Sequence, residues 1–202
     1  MMTRMNRPLF WWGAACLLLL WGCTSSPYER TLKAELASGV RQDSLFLGLY
    51  LGMPAEGFYA RCTELNQQKL VQQGSSELAV QYLVPGFKSR TFMRFYPTFT
   101  KKDDVRLIYE MPVLFEYEAW APWSPQFSAD SLLPEVLTRF NQWYGGEFLR
   151  VDHPEKESVY VKITGNRRVL VFRYNDQQVK AVITDMLTHE SIKTMSNLQS
   201  TP

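Results

Sequence analysis

The sequence predicts an α+β protein: two units, each a helix followed by an antiparallel meander, packed as one body behind an N-terminal signal peptide. Three observations carry this. Two segments place apolar residues at helical spacing. Phe58, Cys62 and Leu65 fall at i, i+4 and i+7, while Leu133, Val136, Leu137, Phe140, Trp143 and Tyr144 form one broad stripe. Each segment is followed by runs in which apolar and polar residues alternate, the two-residue period of half-buried antiparallel strands. Ahead of both lies a charged n-region and an apolar run shorter than the ~20 residues a spanning helix needs.

Arg4 and Arg7 precede the apolar residues 9–21, and the run closes in Leu20-Trp21-Gly22-Cys23. That ending resembles the lipobox of bacterial lipoproteins, with Trp21 where the family usually has a smaller residue. The resemblance implies cleavage between Gly22 and Cys23, a diacylglyceryl group on the Cys23 sulfur and acylation of the new amino group. Several chains are needed physically, because one acyl chain holds a bilayer only marginally. In many bacteria an aspartate after the lipidated cysteine signals inner-membrane retention. Thr24 stands there, so the resemblance favours the outer membrane.

Residues 1–22 thus read as signal, 23–44 as a lipidated tether, 45–186 as the α+β domain with possible halves 45–120 and 126–186, and 187–202 as a polar tail. Residues 23–202 suffice for one good core or two small packed halves. The whole chain has 22 Lys and Arg against 20 Asp and Glu. Arg4 and Arg7 belong to the signal, so charges balance beyond it and no nucleic-acid footprint remains. Cys16 leaves with the signal and Cys23 is taken by lipid, which leaves Cys62 without a disulfide partner. It is expected to pack as a small buried hydrophobe.

After a weakly helical stretch around Tyr28 to Leu36, the run Leu45-Phe46-Leu47-Gly48-Leu49-Tyr50-Leu51 reads as a strand or a tight buried loop. Pro54 suits the first helical position, where its missing N–H costs nothing. Gly57 weakens that helix by up to about 1 kcal/mol relative to Ala, so it needs a packed partner. Leu78, Val80, Tyr82 and Val84 share one strand face, and Pro85-Gly86 turns the chain. A strand from Phe92 towards Phe99 stops near Pro97. Past the polar Lys101-Lys102-Asp103-Asp104 turn, Val105, Leu107, Tyr109 and Met111 alternate inward. Pro112 argues for a bulge or an edge, after which Val113, Phe115 and Tyr117 face in and Glu116 and Glu118 face out.

The second helix can be capped by Asp130 or Ser131, tolerates Pro134 in its first turn and ends at Gly145-Gly146. Val159, Val161 and Ile163 share a face, Gly165-Asn166 signals a tight hairpin, and Leu170, Phe172 and Tyr174 follow. Val179, Ala181 and Ile183 complete the meander. An offset of 75 residues lays Asn66-Gln67 on Asn141-Gln142, Phe58 on Leu133 and Leu65 on Phe140, a slight identity between the halves. In outline, residues 45–186 resemble the small helix-plus-sheet lipoproteins of outer-membrane assembly, and the tandem arrangement resembles secreted beta-lactamase-inhibitor-like domains. This resemblance is architectural and carries no functional residue.

No nucleophile elbow, phosphate loop or dinucleotide glycine pattern occurs. His153 and His189 stand alone, without metal-ligand spacing, and read as surface residues. Glu116 and Glu118 could serve acid–base chemistry, though solvated alternation explains them more simply. Arg167, Arg168 and Arg173 form a basic group whose members Arg168 and Arg173 alternate to opposite faces. Trp120 and Trp123, around Ala-Pro with Pro125 after, form a stiff aromatic loop, with packing against the core favoured over an exposed patch. The expectation is a non-enzymatic, lipid-anchored binding or scaffolding module without metal or cofactor. Its partners are the membrane, through Cys23, and an envelope protein or glycan, with no nucleic acid. Two alternatives stand beside it: an envelope hydrolase or isomerase built on Glu116, Glu118 and neighbouring tyrosines, and an inhibitor of an exported enzyme.

Overall fold

The alternating runs pair, each strand antiparallel to its neighbours, into one sheet. The computed structural model describes residues 26–74, 80–153 and 156–191. The expected signal peptide with Gly22, and also Cys23, Thr24, Leu78 and the residues from 192, lie outside the described residues. Within them run the α-helices Pro27–Ala37 (α1), Ala55–Gln67 (α2) and Ala129–Tyr144 (α3), and residues 186–191 are helical after the last strand. The strands are Val71–Gln73 (β1), Val80–Val84 (β2), Thr91–Phe95 (β3), Thr98–Lys102 (β4), Val105–Tyr117 (β5), Leu149–His153 (β6), Lys156–Thr164 (β7), Arg167–Arg173 (β8) and Gln178–Asp185 (β9). Their order is β1-β2-β3-β5-β9-β8-β7-β6, with β4 on the same flank of β5 as β3. Each predicted unit is a helix leading a meander, and the two join where their last strands, β5 and β9, pair antiparallel from Glu110↔Thr184 to Glu116↔Gln178.

One face of this sheet carries the main core. Met93 and Phe95 on β3, Met111, Val113, Phe115 and Tyr117 on β5, and Val179, Ala181 and Ile183 on β9 are buried there. Phe58 of α2 and Leu132, Val136 and Phe140 of α3 close the layer from above. Phe140 meets Phe115, Trp143 and Phe148 edge to face, with ring centroids 5.9, 5.4 and 6.5 Å away, the arrangement that aromatic quadrupoles favour. Gly145, at φ +66°, ends α3 as the Gly-Gly pair predicts.

Several expectations about sides and boundaries are corrected. On β5 it is Ile108, rather than Leu107 or Tyr109, that is buried. The ladder slips between Thr98↔Glu110 and Phe99↔Ile108, and the extra residue reverses the alternation. Pro112 lies inside the sheet, where β5 changes partner from β4 to β3 and that flank offers no paired residue. On β8 the core takes Val169 and Val171, while Leu170 and Phe172 lie on the second face. Val159, Val161 and Ile163 do share a face, yet it is again the second one, because Tyr160 opposite Val171 packs into the core. Residues 45–51 form a buried loop closed by a Ser44↔Tyr50 bridge, with Leu47 and Gly48 at positive φ. Pro54 caps α2 from outside rather than opening it. Neither Asp130 nor Ser131 caps α3, whose first N–H, on Ala129, is satisfied by the Asp176 carbonyl at 2.9 Å.

The expected tether is not a loose linker. Ser26 and Glu29 close a capping box, Glu29 N–H to Ser26 Oγ at 3.2 Å and Ser26 N–H to Glu29 Oε2 at 3.0 Å. From there α1 lies on the second face against β7: Arg168 Nη1 donates to the Tyr28 hydroxyl at 3.1 Å and Gly165 N–H donates to Glu35 Oε2 at 2.7 Å. The chain then passes over the tip of the β7–β8 hairpin, so closely that a Cβ on Gly165 would strike the Val40 carbonyl oxygen. On the far side Phe46 reaches the core face and meets Phe95 at 4.9 Å between centroids.

The hairpin tip is therefore gripped rather than solvated. Buried Asn166 accepts from Gln42 N–H at 2.6 Å and donates to Asp43 Oδ1 at 2.9 Å and Asp185 Oδ1 at 3.1 Å. Arg167, also buried, donates to the Ser44 carbonyl at 2.7 Å. Arg41 pairs with Asp43 at 2.9 Å.

Two measurements check this account. Phe140→Ala removes a fully buried ring and is expected to cost about 3–5 kcal/mol in urea unfolding. At Asp43, burial alone would raise the carboxyl pKa, but hydrogen bonds from Arg41 and Asn166 outweigh it and hold the group below its ordinary range. A depressed carboxylate lends stability that is whole above its unfolded pKa of roughly 3.9 and lost as pH falls through the folded value. The urea midpoint of the wild type should accordingly exceed that of Asp43→Asn near neutrality, and the gap should close below about pH 4. A gap that stays constant with pH would remove Asp43 from the clasp.

Candidate binding surface

The register of the ladders defines the second face. Across the sheet run Pro112, Val182, Leu170, Val161 and Leu149 in one row, and Gln81, Arg94, Leu114, Lys180 and Phe172 in the next. The following row is Leu83, Phe92, Glu116, Gln178 and Tyr174. The face is mixed, with aliphatic and aromatic side chains flanking a central polar strip. Of α1, α2 and α3, α1 packs here, over the hairpin corner at β7 and β8, while α2 and α3 join the core cluster on the opposite face.

Glu116 is the hub of the polar strip. It forms an ion pair with Arg94 across β3 and β5, and it accepts from Gln178 Nε2 at 2.9 Å. Both charged side chains are largely shielded, 17% and 14% exposed, and burial pulls the Arg94 pKa down. Glu118, by contrast, is exposed and pairs with Arg90 at 2.5 Å. The two carboxylates thus sit in separate ion pairs with separate arginines. At the β1–β3 end of this face opens a groove of about 500 Å³ lined by Lys69, Leu70, Gln72, Gln81, Leu83 and Phe92, with the Arg90–Glu118 pair on its rim.

The aromatic loop divides. The Ser124 N–H donates to the Ala121 carbonyl at 2.9 Å, a turn with Pro122 and Trp123 at its two central positions. Trp120 is half-buried, whereas Trp123 stands at the tip with 82% exposure, the highest among the large apolar residues described as exposed. Because Ala129 bonds the Asp176 carbonyl, this loop and the turn after β8, with Tyr174 54% exposed, belong to the same end of the sheet. Trp123 is exposed where packing was favoured, since Pro122 fixes a turn that points the next side chain away from both sheet and helix.

The remaining predicted residues are scattered. Arg168 and Arg173 occupy opposite faces, as alternation requires, and Arg173 is tied up with Asp130, Glu157 and Asp176. Arg167 is no surface residue: it lies in the core layer with its guanidinium 3.9 Å from the Tyr144 ring centroid. His189 is half-buried near the end of β9, far in sequence from His153, whose side chain lies outside the described set. Among the described residues no three His, Cys, Asp or Glu side chains are grouped to hold a metal ion.

Cys62 lies half-buried on α2, beside a cavity of about 410 Å³ lined also by Phe58, Tyr59, Val80 and Tyr96. Burial pushes its thiol up to about 11, against a smaller downward pull from Arg61. What sequence reasoning missed was the groove, the Arg94–Glu116 pair and the clasp. The polar strip alone left a trace, as Arg94 and Glu116 are charges on strands otherwise rich in apolar residues.

No protein-family model matches this chain, and no curated protein matches it. Among solved structures it is similar to the crystal structure of a DUF4309 family protein, YjgB, from Bacillus subtilis. That likeness has 14% sequence identity and a TM-score of 0.31, over 78% of this chain and 94% of the other. At that score it carries no argument.

The thiol offers a direct check on local packing. At pH 8 Cys62 should alkylate with iodoacetamide on the order of a hundredfold more slowly in the folded protein than in urea, the thiolate being scarce. Peptide mass spectrometry over time reads the rate, and equal rates would show the thiol to be open.

Proposed function

We infer that this protein is a lipid-anchored, non-enzymatic binding or scaffolding module of the bacterial envelope, with the second sheet face and the loop of Trp120 and Trp123 as its contact surfaces. The observation that carries this reading is one-sided coverage. A sheet of nine strands has its main core under α2 and α3, while of α1, α2 and α3 only α1 lies on the second face, at one corner. A mixed face, on which apolar patches flank a strip of shielded, mutually paired polar groups beside a groove, offers a partner both apolar area and polar groups to match. The lipobox-like ending at Cys23 supports the anchor, and the absence of an aspartate at Thr24 supports the outer membrane.

The anchor is tested by intact-mass analysis of membrane-extracted protein. The expected species begins at Cys23 with added acyl mass, and Cys23→Ala should abolish that mass and leave the chain unprocessed or released. An unmodified Cys23 sinks the lipoprotein reading. The contact face is tested by placing a photo-crosslinking residue at Leu83, in the groove. A discrete adduct in intact cells, competed away by Phe92→Glu, is the expected result.

A further inference from the structure

The course of α1 relative to the sheet says which end of the molecule lies nearest Cys23. Helical order begins immediately after Ser26, whose capping box fixes the entry. Cys23 is three residues upstream, and three residues span at most about 10 Å when extended. α1 itself has a set direction: Tyr28, in its first turn, meets Arg168, and Glu35, near its end, meets Gly165 at the hairpin tip. It therefore runs towards the tip while β8 runs away from it, so the start of α1 points along β8 towards Tyr174. That is the end of the sheet where the Trp123 turn protrudes.

We propose that this end of the sheet faces the phospholipid bilayer, with Trp123 seated in the headgroup layer beside the acyl chains of Cys23. The proposal rests on the acylation of Cys23 inferred above. An exposed tryptophan on a proline-stiffened turn suits that layer, because the indole offers an apolar body to the acyl boundary and an N–H donor to the headgroups. Little entropy is lost on insertion, since the backbone of the turn is already fixed by Pro122 and the Ser124–Ala121 bond. Charge on α1 agrees. Arg30 and Lys33 are exposed, within reach of lipid phosphate, and Glu29 and Glu35 balance them in number, so α1 presents no net negative charge to an anionic bilayer. The acyl chains supply the holding strength, and Trp123 fixes which way the domain stands.

The test uses the mature acylated protein in vesicles of phosphatidylethanolamine and phosphatidylglycerol, some with brominated acyl chains. Beyond the signal only Trp120, Trp123 and Trp143 emit. Brominated lipid should quench the emission, and Trp123→Phe should abolish most of that quenching while Trp120→Phe leaves most of it. At 82% exposure Trp123 bears little on folding, so its variant reads position rather than stability. Acylated protein whose emission brominated lipid does not touch, or quenching that survives Trp123→Phe, overturns the orientation alone and leaves the loop to a soluble partner. Intact mass on the same sample separates the two failures, because a Cys23 without acyl mass removes the anchor and the orientation together.

Discussion

The grip of residues 40–46 on the β7–β8 hairpin is the constraint on which the two-sided build of this protein depends. A hairpin tip normally keeps its polar groups in water. Here Gly165 and Asn166 are buried, and each buried donor and acceptor needs a partner, since leaving one unmet costs about 1–3 kcal/mol. Glu35, Gln42, Asp43 and Asp185 supply those partners. Because they come from both sides of the tip, the same bonds that satisfy the turn also hold α1 on one face and deliver Leu45, Phe46, Leu49 and Leu51 to the other. Only glycine fits at 165, where φ is +56° and the Val40 backbone occupies the place of a side chain.

Much of the fold was legible because burial and period coincide. The i, i+4, i+7 stripe of α2, the broad stripe of α3 and the perfect alternation of Val179, Ala181 and Ile183 each name an element and its inward side. The Gly165-Asn166 signal named its hairpin too, though not what covers it. Sides were misread for different reasons: β8 has apolar residues on both faces, and β7 turns Tyr160 and the buried Lys162 towards the core side while its valines face the other way. Leu170 and Phe172 are as apolar as Val169 and Val171, so period alone cannot orient β8 when its second face is itself half covered. On β5 a single bulge opposite Thr98 reversed the phase, and a bulge leaves no compositional mark when both candidate residues, Leu107 and Ile108, are aliphatic.

The candidate surface was less legible for a different reason. It is assembled from residues of many strands, and no local spacing joins Gln81, Arg94, Leu114 and Lys180. Only the register brings them into one row. Trp123 shows the converse. Its loop was visible at once from Trp-Ala-Pro-Trp, but exposure depends on where the turn points, and two tryptophans three apart could equally have folded down, as Trp120 partly does.

A shielded ion pair such as Arg94–Glu116 gives little net stability, because desolvating two charges offsets most of their attraction. Leucine or valine at both sites would hold the two strands as well. What the pair adds is specificity on a face that would otherwise be a continuous apolar sheet. A wholly apolar second face eight strands across would be an aggregation surface. The polar strip through Gln81, Arg94, Glu116 and Gln178 breaks that face into two apolar patches, one beside the groove at Leu83 and Phe92 and one around Leu170, Phe172 and Val182. Anything that buried the strip would have to meet its hydrogen bonds, a demand that makes such a face selective.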